Sequence, residues 1–162
     1  MLIRLLRLLG ICLGVLLVGL MLTVALLWWS NRDIPMSELE ARYGGPDLQR
    51  VEIDGVNLAY KVQGDGPPLV LLHSHFYTMR LWQPWVDALS ADFTVIRYDL
   101  TSHGLTGPDP SGDYSRARGT RLLAGVLDLL GIEEASVAGS STGGALALYF
   151  AAFYPQRVDR LI

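Results

Sequence analysis

Of all the features of this 162-residue chain, the run GSSTGG at residues 139–144 places the tightest limits on its fold. It lies between a short β-rich segment, residues 135–138, and an apolar segment of helical character, residues 142–154. Glycines two positions before and two positions after Ser141 let the neighbouring backbone and the helix approach without Cβ clashes. The pattern therefore predicts a sharp, strained turn from strand to helix, with Ser141 lifted out of the strand end.

Ser141 is a candidate nucleophile because of where such a turn places its hydroxyl. At the N-terminus of the following helix, backbone N–H groups without intrahelical partners and the helix dipole favour developing negative charge. An ordinary glycine-rich turn, in which the same serine only caps the helix, is the alternative. The position between a strand and a helix favours the nucleophile.

The chain from residue 48 onward alternates between strand and helix patterns. Two β-rich segments joined by Asp54-Gly55, a strong hairpin signal, come first and predict an antiparallel pair. Apolar and amphipathic segments then alternate, which is typical of a parallel sheet covered by helices on both faces. The sequence thus predicts an α/β fold. The predicted strands are 48–53, 57–63, 69–72, 93–98, 135–138 and 158–162, and the predicted helices are 80–90, 115–130 and 142–154.

An uncharged apolar run extends from Ile11 to Trp29. As a helix it spans roughly 28 Å, close to the thickness of the hydrocarbon core of a bilayer. Residues 1–30 are therefore predicted to form a transmembrane signal-anchor. A cleaved signal peptide is the alternative, but the apolar run is long for one and no small-x-small cleavage site follows it.

Charges beside this helix predict its orientation. Arg4 and Arg7 precede the apolar run, and positive flanks favour the cytoplasmic side of a membrane. We expect a single-pass membrane protein with a cytoplasmic N-terminus and an exported remainder, which would be periplasmic in a bacterium. Residues 31–47, which contain two prolines and two adjacent glycines, are predicted to be a linker to a domain that begins at residue 48.

Net charge and cysteine content exclude several classes of function. A formal net charge of -3, without a cluster of Lys or Arg outside the N-terminus, argues against nucleic-acid binding. Cys12 is the single cysteine, so the chain can form neither an intramolecular disulfide nor a cysteine-based zinc site. The sequence implies no metal and no organic cofactor.

Three motifs in a fixed order resemble those of the α/β-hydrolase superfamily, in the branch that includes esterases, carbon–carbon bond hydrolases and epoxide hydrolases. They are the strand end LLH at 71–73, the loop DLTSHGLT at 99–106 and the turn at 139–144. The resemblance covers residues 48–162 and implies a three-layer fold, with a mostly parallel sheet between helices, of which this chain holds the N-terminal portion. Family members with an N-terminal membrane helix are also similar to residues 1–60.

The resemblance implies roles for main-chain groups around Ser141. It assigns the oxyanion hole to the backbone N–H groups of Thr142 and His75. Ser74 departs from the family pattern, which usually has glycine after His73. If the backbone there requires a conformation that only glycine adopts readily, we expect Ser74 to strain or re-route the loop.

The three histidines, at positions 73, 75 and 103, all precede Ser141. The resemblance implies that His73 and His103 are structural and that Asp99 forms a turn. For the side chain of His75, a pocket-lining or solvent-facing position is favoured over a direct catalytic role, because the family places its base elsewhere. A metal site built on these histidines is the disfavoured alternative. In this superfamily the triad acid and histidine follow the nucleophile, so we expect both to be absent from this chain and the chain to be an inactive fragment.

The function expected of the complete protein is hydrolysis of a small-molecule ester, or of a related carbonyl or carbon–carbon bond, through an acyl-enzyme at Ser141. The resemblance implies that epoxide hydrolases and haloalkane dehalogenases use a carboxylate nucleophile, and a serine argues against both. An acyltransferase or perhydrolase with the same nucleophile remains an alternative. A non-catalytic, membrane-tethered binding module is a third reading.

Overall fold

The computed structural model of the protein describes residues 2–162 and divides into two compact units, with the division between Glu38 and Leu39. The first unit contains helix α1, Leu2–Ser30, whose side chains are exposed where they are described. This helix is long and apolar enough to cross a membrane, and an N-terminal signal sequence meets the same criteria. Helix α2, Met36–Tyr43, contains the division between the units.

The second unit begins with a β-hairpin. Strands β1, Gln49–Ile53, and β2, Val56–Gln63, pair antiparallel. The connecting residues Asp54 and Gly55 have φ angles of 49° and 82°, and two positive values in succession are what a type I′ turn requires. The hairpin forms where the Asp-Gly signal predicts it.

The hairpin lies at one edge of a six-stranded sheet in the order β1-β2-β4-β3-β5-β6. Strand β2 pairs antiparallel with β4, and the four strands from β4 to β6 in this order run parallel. The mostly parallel sheet predicted from the alternating pattern is therefore confirmed. The remaining strands are β3 (Pro68–Leu72), β4 (Thr94–Tyr98), β5 (Ala135–Gly139) and β6 (Val158–Leu161).

Three helices connect the parallel strands: α3 (Gln83–Leu89), α4 (Arg116–Leu129) and α5 (Thr142–Phe153). The helix predicted over 80–90 is split, because a 3₁₀ turn, Met79–Trp82, precedes α3. Pro84 lies in the first turn of α3. Proline has no N–H and its ring clashes with the carbonyl four residues earlier, so an α-helix begins at this residue more readily than it continues through it.

Helices cover both faces of the sheet. Because successive residues of a strand point to opposite sides, neighbouring residues belong to different cores. On one face Leu72 and Ile96 belong to a core that includes Phe150 of α5 and the apolar side of α4. On the other face Leu71 packs in a smaller core with Val86 of α3. The structure is thus the three-layer arrangement expected from the sequence.

Candidate active site

The parallel strands β3, β4 and β5 end at the same edge of the sheet. In open α/β sheets, ligands bind at this carboxyl edge. The loops that follow these strands carry most of the residues indicated by the sequence motifs. These residues are His73 and His75 after β3, Asp99 and His103 after β4, and Ser141 after β5.

Ser141 lies in a turn whose backbone conformation is costly for any residue with a side chain. Its φ is 52° and its ψ is -110°, and strain of this kind costs of order 1–3 kcal/mol. Close backbone packing enforces it: a Cβ on Gly139 would overlap the carbonyl of Gly143 and come within 2.6 Å of Gly144 N. A Cβ on Gly143 would overlap the carbonyl of Leu72 in β3. Both glycines are therefore needed for the strand end and the helix start to meet.

The side chain of Ser141 is exposed at this edge. Although Ser141 directly precedes α5, its hydroxyl makes no capping hydrogen bond within the described part of the chain. Backbone groups hold the turn instead: Gly143 N donates to Ser140 O at 2.9 Å, and Ala145 N donates to Ser141 O at 2.8 Å. The hydroxyl therefore does not serve to hold the turn.

Thr142 and His75, whose N–H groups are expected to form the oxyanion hole, border one cavity of about 370 Å³. Thr142 begins α5 directly after Ser141, and His75 lies in the loop after β3. A hydrogen bond of 3.1 Å from Ser140 N to Leu72 O ties the turn to the end of β3. The fold thus brings the two residues to the same cavity, and Ser141, which directly precedes Thr142, is not among the residues that line it.

The strain expected at Ser74 lies elsewhere in the loop. Ser74 does not have a positive φ; Phe76 does, with φ 65° and a side chain that is 89% exposed. The carbonyl of Ser74 accepts from Tyr77 N at 3.2 Å and contacts the ring Nδ1 of His73 at 2.8 Å. Serine fits at position 74 because the left-handed residue comes two positions later.

His73 is fully buried, and both of its ring nitrogens are engaged. Its Nε2 accepts a hydrogen bond from Leu100 N at 2.9 Å. The ring proton therefore lies on Nδ1, which donates to Ser74 O at 2.8 Å. Burial lowers the pKa of His73 and keeps the ring neutral. His73 thus has the packing and hydrogen-bonding role implied for it, with no nitrogen left to accept a proton from Ser141.

Asp99 holds the loop after β4. One carboxylate oxygen accepts from Met79 N at 2.6 Å and the other from Leu105 N at 2.7 Å. Gly104, with φ 52°, lies so close that a Cβ would overlap the carboxylate. Burial raises the pKa of Asp99, while the two N–H donors act in the opposite direction. The carboxylate accepts backbone N–H groups, as expected of a turn-forming residue.

Comparison with a known family fits this geometry. A family model described as the alpha/beta hydrolase fold matches residues 67–162, more than half of the chain. The chain belongs to the α/β-hydrolase family. The match includes the strands β3 to β6 and the turn at Ser141.

Several hydrolases are similar to this member of the family. A 2-hydroxymuconate semialdehyde hydrolase of Pseudomonas putida is 35% identical over 102 residues, which are 62% of this chain and 36% of that protein. A hydrolase from Pseudomonas aeruginosa PA01 has a TM-score of 0.67 at 34% identity, over 72% of this chain and 44% of that one. An epoxide hydrolase mutant of Vigna radiata has a TM-score of 0.65 at 26% identity, over 68% of this chain and 36% of that one. The chain spans about a third of the length of the curated relatives it matches.

A contact that the sequence did not indicate joins His75 to His103 in this α/β hydrolase. Nε2 of His103 lies 3.0 Å from Nδ1 of His75, and Nδ1 of His103 lies 2.9 Å from Thr101 O. With the His103 proton on Nδ1, its Nε2 accepts from His75. The loop that carries a predicted oxyanion residue is therefore tied to the loop after β4.

The sequence patterns did not indicate two further residues that line the cavity beside Thr142. Tyr98 is buried, and its hydroxyl has no hydrogen-bond partner within residues 2–162. Arg118 of α4 also borders the cavity and pairs with Asp109 at 2.7 Å and with Asp54 at 3.0 Å. The sequence offered no signal for either residue: Arg118 is one of three arginines in the first half of α4, and Tyr98 resembles any other core residue of a strand.

Proposed function

We propose that the complete protein is a membrane-tethered serine hydrolase in which Ser141 is the nucleophile. The observation that carries this proposal is the backbone of Ser141, held at φ 52° and ψ -110° between closely packed glycines. Strain of this kind at an exposed serine, at the carboxyl edge of an α/β sheet, suits a nucleophile presented to a substrate.

In the proposed reaction, Ser141 Oγ attacks a carbonyl carbon and transfers its proton to a general base. The negative charge that develops on the carbonyl oxygen is stabilised by the N–H groups of Thr142 and His75. The leaving group departs with a proton and leaves an acyl-enzyme, which water then hydrolyses to an acid and free Ser141.

The general base is a part of this mechanism that His73 and His103 do not supply. Both ring nitrogens of His73 are occupied by hydrogen bonds, and His103 contacts Thr101 and His75. In the proposal, the acid and the base of the triad come from parts of the complete protein outside residues 1–162. A hydroxyl without a base is a weak nucleophile, so the 162-residue chain alone is expected to turn over little substrate.

The substrate class follows from the nucleophile. The relatives include a semialdehyde hydrolase and an epoxide hydrolase, so family membership leaves the substrate open. A serine forms an ester with an acyl group, which favours a small-molecule ester or a related carbonyl or carbon–carbon bond over an epoxide. The cavity of about 370 Å³ beside Thr142 is where we expect part of that substrate to bind.

The proposed tether is helix α1. We infer that residues 1–30 are retained as a single-pass anchor with a cytoplasmic N-terminus, that 31–47 are a linker, and that 48–162 begin the exported hydrolase domain. Arg4 and Arg7 before the apolar run and the lack of a cleavage motif after it support this assignment.

Labelling of the complete protein with a fluorophosphonate probe tests the nucleophile. The expected result is stoichiometric labelling that is lost in Ser141→Ala. Ser140→Ala is the matched control, because it removes a hydroxyl one residue away, and it should keep the label. Labelling that survives in Ser141→Ala, or that is absent from a folded wild-type protein, would rule out the proposed nucleophile.

A further inference from the structure

A second cavity, of about 270 Å³, shares no lining residue with the one beside Thr142. It lies where α2, β2 and the 3₁₀ turn before α3 approach the buried end of β4. Three basic residues border it: Lys61, Arg80 and Arg97. We refer to it as the Arg97 cavity.

Among the described residues, the buried cation Arg97 has no carboxylate partner. It is 2% exposed, and its guanidinium donates only to neutral acceptors, at Met79 O, Gln63 Oε1 and Gln83 Oε1. Its Nε has no hydrogen-bond partner in the part of the chain that the structure describes. Arginine is rarely buried unless it is paired, because removing its charge from water is costly. Burial accordingly lowers the pKa of Arg97.

Lys61 adds a second positive charge beside the first. It lies directly opposite Arg97 in the antiparallel pairing of β2 with β4, an arrangement that is destabilising for like charges. Burial and the nearby Arg97 lower the pKa of Lys61, whereas Asp47 and Asp99 raise it. Both oxygens of Asp99 already accept backbone N–H groups. Among the described residues Lys61 makes no ion pair.

The nearest acids leave this charge only partly compensated. Asp87, Asp47 and Asp99 raise the pKa of Arg97, in that order, but together they do not offset the effect of burial. Asp87 does not contact Arg97 directly. Arg97 donates to Gln83 Oε1, and Gln83 Nε2 in turn donates to the Asp87 carboxylate at 2.7 Å. Of the charged residues that line the Arg97 cavity, three are basic and one, Asp99, is acidic, so the lining keeps a local excess of positive charge.

The remaining lining of the Arg97 cavity is mostly apolar, although it also includes Thr78, Gln83 and Asp99. Leu39 and Tyr43 of α2 border it together with Met79 and Leu105. The guanidinium of Arg80 lies 5.1 Å from the centre of the Tyr43 ring, which positions this third cation by a cation–π contact. An occupant must therefore combine negative charge with an apolar part.

We propose that the Arg97 cavity binds a small organic anion, namely a carboxylate with a short apolar tail. One of its oxygens accepts a charge-assisted hydrogen bond from Lys61, and the buried positive charge of Arg97 attracts the carboxylate. Its tail packs against Leu39 and Met79. The cavity volume of about 270 Å³ suits a chain of a few carbons.

Calorimetric titration of the complete protein in nanodiscs with hexanoate tests this site. Hexanoate is expected to bind, and Lys61→Met, which keeps the apolar stem and removes the charge, should weaken binding by about tenfold or more. Arg80→Gln should weaken it less, because Arg80 is exposed. The matched control is Arg160→Gln, because Arg160 is an exposed arginine of β6 outside the cavity. This variant should bind hexanoate with unchanged affinity.

Two further ligands and one further variant make the outcome decisive. Equal binding of 1-hexanol would show that charge plays no part, and equal binding of inorganic phosphate would show that the apolar walls play none; either result would overturn the proposal. Failure of hexanoate to bind, or binding unchanged in Lys61→Met, would do the same. Ser141→Ala should bind hexanoate like the wild type, since this site does not depend on the proposed nucleophile.

Discussion

At the scale of single residues, the position of Ser141 depends on contacts that leave no space for a Cβ. Gly139 and Gly143 face one another across the turn, and Gly143 also lies against the end of β3. The strained φ and ψ of Ser141 are thus maintained by packing of backbone against backbone. Adding a methyl group at either glycine should separate the strand from the helix that presents the serine.

Gly139→Ala is therefore expected to destabilise the protein by about 1–3 kcal/mol, as overpacking of a tight site does, and to reduce fluorophosphonate labelling. The free energy of unfolding in urea and the extent of labelling measure the two effects. Gly107→Ala is the control, because no heavy atom lies within 4 Å of a Cβ built there. Equal stabilities of the two variants would contradict the packing argument.

The unpartnered hydroxyl of Tyr98 gives a second prediction. A buried hydroxyl without a hydrogen bond carries a desolvation cost, so Tyr98→Phe should raise the free energy of unfolding by about 1 kcal/mol. Tyr60→Phe should instead lower it by about 1 kcal/mol, because the Tyr60 hydroxyl donates to Gln49 Oε1 at 2.8 Å. Urea denaturation of both variants distinguishes the cases; destabilisation by Tyr98→Phe would mean that this hydroxyl has a partner in solution.

At the scale of elements, Arg118 connects three parts of the fold. From α4 it donates to Asp109 in the loop after β4, and to the carboxylate and carbonyl of Asp54 in the hairpin turn. The antiparallel edge of the sheet is thereby joined to a helix that packs on its face. The Arg118 side chain and a hydrogen bond from Ser111 lower the pKa of Asp109 to about 2.

This lowered pKa of Asp109 predicts that the free energy of unfolding depends on pH in the acidic range. Because the folded-state pKa of about 2 lies below the ordinary value of 3.8, the contribution of Asp109 is fully present above pH 3.8 and is lost as the pH falls through 2. Wild-type protein should therefore lose more stability between pH 5 and pH 2 than Asp109→Asn does. Unfolding in urea across this range checks the difference. Asp65→Asn, at an exposed carboxylate, should leave the profile like that of the wild type.

At the scale of the whole molecule, the two units differ in how much apolar surface they expose. Residues from Leu39 onward have a core within a sheet covered by helices, whereas the described side chains of α1 are exposed and mostly apolar. A helix of 29 residues with so much exposed apolar surface requires a lipid environment or removal by a signal peptidase. We propose that the helix is retained as an anchor.

Charges placed at the centre of α1 test that proposal. Val18→Arg combined with Leu20→Arg should cost about 2.5–3.5 kcal/mol per arginine in a bilayer and prevent membrane integration. Carbonate extraction should leave the wild type in the membrane, and mass spectrometry should find its N-terminus intact. Ile3→Arg, near the N-terminal end of α1, is the control and should stay integrated. Mature protein that lacks residues 1–30 would show that the segment is a signal peptide.

Local sequence patterns were sufficient to predict much of the fold. The hairpin follows from Asp54-Gly55, since two positive φ angles are acceptable to these residues. The parallel strands follow from their alternation with helices, and the boundaries of β3, β4 and α4 lie within about two residues of those predicted. The turn at Ser141 could be predicted because the glycines that permit it are close in sequence.

What the sequence determined by itself was local: the apolar N-terminal helix, the order of strands and helices, and the turn that presents Ser141. Only the tertiary structure decided which distant groups meet, such as His75 with His103 and Lys61 with Arg97. It also placed the left-handed residue of the loop after β3 at Phe76 and not at Ser74. The reason is that conformational preferences act between neighbours along the chain, whereas contacts between distant side chains depend on how the strands align in the sheet.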